Sequence, residues 1–197
     1  RAATRILLGL DNKIYLGNLN AKRDWGHAKD YVEAMWMILQ HNRPEDFVVA
    51  TGENHSIREF IDKTFQELGV KIDFRGEGTN EKGIVDSVDS QKISELGIEM
   101  PYVKPGDQVI EIDPSYFRPT EVEELIGDAS KAQKILHWQP RYTFDELVRE
   151  MTLSDLEKAA KAGKIRKLTG FDEKSEINIK QAIPFAKAAG KRMLLGF

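Results

Sequence analysis

The chain has 197 residues, 29 basic and 32 acidic side chains, a net charge of −3, a hydrophobic share of 41% and no cysteine. That length suits one ordinary domain, or one domain with an appendage, and the near balance of charge gives no reason to expect nucleic acid or a membrane as partner. No apolar run approaches a membrane span, and without cysteine there are no disulfides, thiolate nucleophiles or cysteine metal sites. A reducing compartment fits, and with neither a signal peptide nor a lipidation motif to read, a cytoplasmic location is the expectation.

Arg1 to Gly9 reads as the last turns of an amphipathic helix with Gly9 as its C-cap, and the first residue is not methionine. The chain is therefore expected to begin inside an element, as a fragment does. Lys13 to Leu16 forms a short strand leading into Gly17-Asn18-Leu19-Asn20-Ala21-Lys22-Arg23-Asp24-Trp25-Gly26-His27. This stretch packs glycines, cations, an aromatic and a carboxylate between a strand and a helix. Such a corner offers backbone N–H groups and a positive helix end to an anion, and Arg23 adds a planar fork for a phosphate. From about His27 to His41 the residues Tyr31, Val32, Met35, Trp36 and Leu39 fall on one helical face, expected to be core. After Arg43-Pro44, the apolar run Phe47 to Ala50 reads as a strand buried on both faces.

Ser56 to Glu59 has capping-box spacing and opens a helix that Gly69 ends; Val70 to Phe74 is a strand. Thr79 to Val103 is irregular and charged, and is expected to be a long surface excursion before the strand Val109 to Ile112. Asp113 to Pro119 is a loop stiffened by its prolines, which hold Arg118 extended. Short helices are expected at Thr120 to Ile126 and Asp128 to Leu136. His137 to Tyr142 is a loop, and the capping box Thr143 to Glu146 starts a further helix with Phe144, Leu147, Val148, Met151 and Leu156 on one side. Beyond Lys158 the composition shifts towards Lys, Ala, Gly and Glu. A helix near Glu176 to Ala189 is expected to be broken by Pro184, and the apolar Met193 to Phe197 reads as a docking segment or a loose end.

Arg23 and Arg118 are the strongest candidates for function, because each is a long cation on a loop that its neighbours stiffen. Each has an equally plain structural role, pairing with a carboxylate such as Asp24 or Glu121. Glu121 can accept from vicinal hydroxyls or favour a helix's first turn. His27 and Asp30 lie one turn apart, as a catalytic pair would, but local hydrogen bonding is the favoured reading. Trp25 and Tyr116 can stack on a base, though core packing is favoured. The four histidines have no metal-ligand spacing, and neither a glycine fingerprint for a dinucleotide nor a Tyr-x-x-x-Lys pair is present.

Four stretches in order, Leu16 to Val32, Pro44 to Gly52, Glu81 to Val85, and Phe117 to Asp128, closely resemble the GDP-mannose 4,6-dehydratase family of extended short-chain dehydrogenase/reductases. The resemblance covers about Arg1 to Leu156. It implies an α/β fold: the C-terminal, substrate-binding part of such an enzyme, with the last helix and strand of a Rossmann sheet and most of the Rossmann domain missing. Residues 1–157 would bind the sugar nucleotide and include a helix and strand, about 27–51, that return to that sheet. Residues 158–197 would be an extension of unknown role. If the sheet is absent, apolar surface should be left bare, with marginal stability or association as the consequence.

The implied reaction takes GDP-mannose to GDP-4-keto-6-deoxymannose on the way to GDP-fucose. NADP accepts hydride from the mannose C4, water is lost across C5 and C6, and the hydride returns to C6. Catalytic groups and NADP-binding glycines would lie in the missing part, so this chain alone is expected to be inactive and to bind no cofactor. By motif match, Gly17, Asn18 and Arg23 would face the nucleotide, Arg118 would grip the diphosphate and Glu121 would take the ribose hydroxyls. The full-length form would be a homo-oligomer. The alternatives are a non-catalytic nucleotide-sugar-binding module, or truncated pseudoenzyme, and a related sugar-nucleotide epimerase or decarboxylase. The last is disfavoured by how closely Phe117 to Asp128 follows the dehydratase pattern.

Overall fold

A computed structural model describes residues 1–122, 124–168 and 170–192, with side chains to residue 188. The expected segment Met193 to Phe197 lies outside the described residues. The fold is mixed α/β with two small sheets, and the chain divides into two units.

The first unit holds Arg1–Asn18, Ile61–Arg118 and the chain from Val148 on. Helix α1 (Ala2–Leu7) ends at Gly9, whose φ of 73° only glycine adopts without strain. Strands β1 (Ile14–Leu16), β4 (Val70–Arg75), β5 (Lys82–Val88) and β6 (Gln108–Ile112) form one sheet in the order β1-β6-β5-β4. β1 runs parallel to β6, and the other pairs are antiparallel. Ile6, Leu7, Leu68, Val70, Ile93, Ile110, Leu153, Leu156, Ile179 and Ile183 are among its buried side chains.

Two expectations are corrected in this unit. Thr79 to Val103 is not a surface excursion: it holds the central strand β5 and helix α4 (Ser90–Glu95), which Asp89 caps through the Lys92 amide. One inward position of β5 is Gly83, where a Cβ would stand 2.5 Å from the Ile110 side chain. A glycine at an inward position leaves no apolar side chain there to show the strand's alternation. Helix α6 (Phe144–Lys161) leads to a short 3-10 turn at Ile165–Lys167 and to α7 (Glu173–Arg192), which runs through Pro184 instead of breaking there. Buried Ile179 and Ile183 hold the helix across the proline, and the buried Glu176 carboxylate clasps Arg166 at 2.6–2.7 Å. Burying two isoleucines contributes about as much as the ~3 kcal/mol that an interior proline costs.

The second unit holds Leu19–Phe60 and Pro119–Leu147. Strands β2 (Lys22–Asp24), β3 (Asn54–Ser56) and β7 (Glu124–Leu125) form its sheet, β2 lying between an antiparallel β3 and a parallel β7. Helix α2 (Ala28–Gln40) packs through Ala34, Tyr31 and Met37 on Ala50, Ala129, Ala132 and Trp138. Helix α3 (Ile57–Glu67) opens with the expected cap, the Glu59 amide donating to Ser56 Oγ at 3.1 Å. The Thr143–Glu146 box at the start of α6 is likewise formed. Helix α5 (Ser130–Leu136) follows Asp128, which accepts from the Ser130 amide.

Here three expectations are corrected. The described residues between Thr120 and Ile126 form no helix: Thr120 lies in a turn, and Glu124–Leu125 is strand β7, which completes the sheet beside Lys22 and Arg23. Phe47 to Ala50 forms no ladder with any described strand and is not buried on both faces: Phe47, Val49 and Ala50 pack inward while Val48 is 53% exposed. The α2 stripe expected to be core is bare, with Val32, Met35, Trp36 and Leu39 61–80% exposed. Small Ala34 and the buried Asp30 occupy the packed side instead. A period of 3.6 reveals that an apolar stripe exists, and says nothing of whether its partner lies in the same chain.

Candidate functional site

The stretch Gly17 to His27 is not a strand-to-helix corner. It passes from β1, in the first unit, to β2, in the second, before α2 starts, and its residues fall into two clusters.

In the first unit, β1 ends against the loop that carries Arg118. The Asp113 amide donates to the Leu16 carbonyl at 2.9 Å, and the Asp113 carbonyl accepts from the amides of Tyr116 and Phe117. The Asp113 carboxylate accepts from the Ser115 hydroxyl and amide at 2.7 and 2.8 Å, which lowers its pKa from the ordinary value. Gly17 lies so close to this loop that a Cβ would stand 2.3 Å from the Tyr116 carbonyl oxygen. Asn18 follows, with Oδ1 accepting from the Arg118 amide and Nδ2 donating to the Arg118 carbonyl, each at 2.8 Å. The backbone of Arg118 is thus held on one side by Asn18 and restricted on the other by Pro119. Its side chain is exposed and has no hydrogen bond or ion pair among the described residues. A fixed backbone carrying an uncommitted guanidinium is an arrangement that can receive a phosphate bidentately.

In the second unit, Arg23 is committed. Nη2 pairs with Glu121 Oε1 at 2.6 Å, and Nη1 donates to the carbonyls of Lys22 and Val122 at 2.7 and 3.0 Å. Both side chains are largely covered, 30% and 19% exposed. Of Arg23's five donors, Nε–H and one Nη2 hydrogen are outside these bonds, as is Glu121 Oε2. Next to Arg23, Asp24 accepts from the Thr51 hydroxyl at 2.6 Å and from the amides of Thr51 and Gly52 at 2.9 Å. Burial pushes this carboxyl up. The Thr51 hydroxyl and the Thr51, Gly52 and Gly127 amides outweigh it, and the pKa lies below its ordinary value.

Of the remaining candidates, Asp30, His27 and Trp25 are built into the fold, and Tyr116, expected to be core, is not. Asp30 is buried and accepts from the amides of Arg141 and Tyr142, both at 3.1 Å. His27 caps α2 through the Lys29 amide and stacks on Tyr142, as local structural bonding would have it. Trp25 packs against Phe60 and Phe144, with centroids 4.2 and 6.1 Å away, whereas Tyr116 is 60% exposed. No group of three His, Asp or Glu among the described residues is placed to hold a metal. A dinucleotide's pyrophosphate sits on a glycine turn from a strand into a helix N-terminus, and Gly17 does not form such a turn. β1 passes through Gly17 to another strand, and the Tyr116 carbonyl closes the space beside that glycine. Sequence reasoning missed Asp24 and Thr51 as partners. Their signal was the Thr51-Gly52 turn after the apolar run, where Gly52 has a φ of 80°.

Comparisons with known proteins agree in direction. Residues 1–151 match the family described as GDP-mannose 4,6 dehydratase. The chain is 48% identical over 172 residues to the GDP-mannose 4,6-dehydratase of Vibrio cholerae, spanning 87% of this chain and 44% of that protein. With the GDP-mannose 4,6 dehydratases of Dictyostelium discoideum and Homo sapiens the identity is 48% over 157 residues, spanning 80% of this chain and 39% and 38% of theirs. Among solved structures, RMD from Pseudomonas aeruginosa complexed with NADPH superposes with a TM-score of 0.50 at 18% identity, over 77% of this chain and 39% of that one, a likeness of fold. The chain therefore spans less than half the length of these relatives. Within that span the identity is high, the match reaches from α1 into α6, and the chain belongs to the GDP-mannose 4,6-dehydratase family.

Proposed function

We propose that this chain supplies the GDP-sugar recognition of a GDP-mannose 4,6-dehydratase, the lyase that takes GDP-mannose to GDP-4-keto-6-deoxymannose. The observation that carries this reading is Arg118: an exposed guanidinium without a protein partner among the described residues, on a loop whose backbone is held at both ends. A diphosphate offers it two oxygens in the geometry its fork matches. Glu121 accepts from ribose hydroxyls through Oε2 while Oε1 stays with Arg23, and Arg23 offers its remaining donors to the nucleotide. Gly17 and Asn18 complete the recognition set.

Catalytic residues and the NADP site belong to sequence outside this chain on this reading, and residues 1–157 carry the recognition. The bare stripe Val32, Met35, Trp36 and Leu39, with Val48, is the face that a Rossmann sheet covers in the whole enzyme. A cytoplasmic homo-oligomer is the corresponding full-length form. Calorimetric titration with GDP and GDP-mannose tests the proposal. Binding of both, weakened by Arg118→Ala by ~1.5–3 kcal/mol, supports it. A folded sample that gives no heat with either ligand rejects it.

A further inference from the structure

Asn18 stands among the recognition residues, but its head group is turned to protein. An N–H cannot face another donor, so only one amide orientation serves both bonds: Oδ1 on the Arg118 amide and Nδ2 on the Arg118 carbonyl, each at 2.8 Å. One side chain thereby does what a neighbouring strand does for a residue, satisfying its N–H and C=O together. The residue so held is the one whose guanidinium is uncommitted. Gly17, one position earlier, lets the same loop approach to within 2.3 Å of where a Cβ would be.

We infer that Asn18 is a positioning residue, acting on the ligand through Arg118 by fixing the main chain from which the guanidinium projects. The inference rests on the proposed diphosphate role of Arg118. Without the clamp, Arg118 samples more backbone states, and its binding then costs the entropy of ordering them. Only asparagine satisfies both groups at this distance. Aspartate keeps the acceptor but sets a carboxylate oxygen against the Arg118 carbonyl, and alanine removes both bonds.

A double-mutant cycle with GDP as the titrated ligand separates acting through Arg118 from touching the ligand. Asn18→Ala is expected to weaken GDP binding roughly three- to tenfold in the otherwise unaltered chain, and to add nothing in an Arg118→Ala background. Asn18→Asp, which keeps the amide bond but sets an acceptor against the Arg118 carbonyl, should also weaken binding, and it provides the test if the alanine variant does not fold. Hydrogen exchange gives a readout free of ligand: the Arg118 amide should exchange faster in Asn18→Ala, which removes its acceptor, while the Ile110 amide of β6 is unchanged. Equal effects of Asn18→Ala in both backgrounds, no effect in either, or an unchanged Arg118 amide would overturn the positioning role alone. GDP binding that is indifferent to Arg118→Ala would instead overturn the diphosphate reading on which it rests.

Discussion

Arg118 and Arg23 lie in stretches that read alike in sequence, and they are spent differently. Arg118 gives its backbone to Asn18 and leaves its guanidinium exposed; Arg23 gives its guanidinium to Glu121 and two carbonyls. The difference shows that a cation in such a stretch has two uses: Arg118 sits on a loop and Arg23 in strand β2. Where the loop is held by main-chain and amide bonds, the charge is available to a ligand. Where the charge itself ties strands together, it first serves the fold.

Substitutions can break this contrast, and the largest effect is expected beside Arg23. Asp24→Ala removes the acceptor of the Thr51 hydroxyl and of two described amides, and should cost about 2–4 kcal/mol in denaturant unfolding of the second unit. The same carboxylate sets a pH dependence. Because its folded pKa is depressed, its contribution is whole above about 4, the value in the unfolded chain, and is lost as pH falls through the lower folded value. Asp24→Asn should flatten unfolding free energy against pH in that acid range.

Next in size, Arg23→Ala leaves Glu121 without its ion pair and frees two carbonyls, at a cost of about 1–3 kcal/mol of stability. Arg23→Lys should recover only part of it, since an ammonium cannot span all three acceptors. A smaller effect is expected far from either arginine. Glu157 hydrogen-bonds Lys161 and Lys187, joining α6 to α7, and its pKa is held down to about 2. Its contribution is whole above about 4.3, the value in the unfolded chain, and is lost as pH falls from there through about 2. Glu157→Gln should therefore remove an acid-sensitive step in the protection of α7 amides from exchange. The smallest effect on stability is expected at the bare stripe: Trp36→Lys should leave the melting temperature nearly unchanged while reducing self-association in sedimentation.

Much of the scaffold was legible in the sequence because the signals were local. The capping boxes at Ser56 and Thr143 marked two helix starts, Gly69 marked a helix end, and the apolar-rich runs Val70 to Phe74 and Val109 to Ile112 marked β4 and β6. What escaped was set by partners distant in sequence. Gly83 faces inward only because Ile110 fills the space opposite, and β7 is a strand only because β2 lies beside it. The α2 stripe was found and assigned to the wrong environment, since periodicity carries no record of what covers a face. At the candidate site, the residue types and the stiff Arg118 loop were readable. The division of labour between the arginines was not, because it depends on bonds spanning about a hundred residues, Arg23 to Glu121 and Asn18 to Arg118.

The contrast is tested most directly by measuring GDP affinity and unfolding free energy together for Arg118→Ala and Arg23→Ala. Arg118→Ala should lose affinity with stability unchanged, and Arg23→Ala should lose stability. A destabilised Arg118→Ala that still binds GDP as the unaltered chain does would contradict the account.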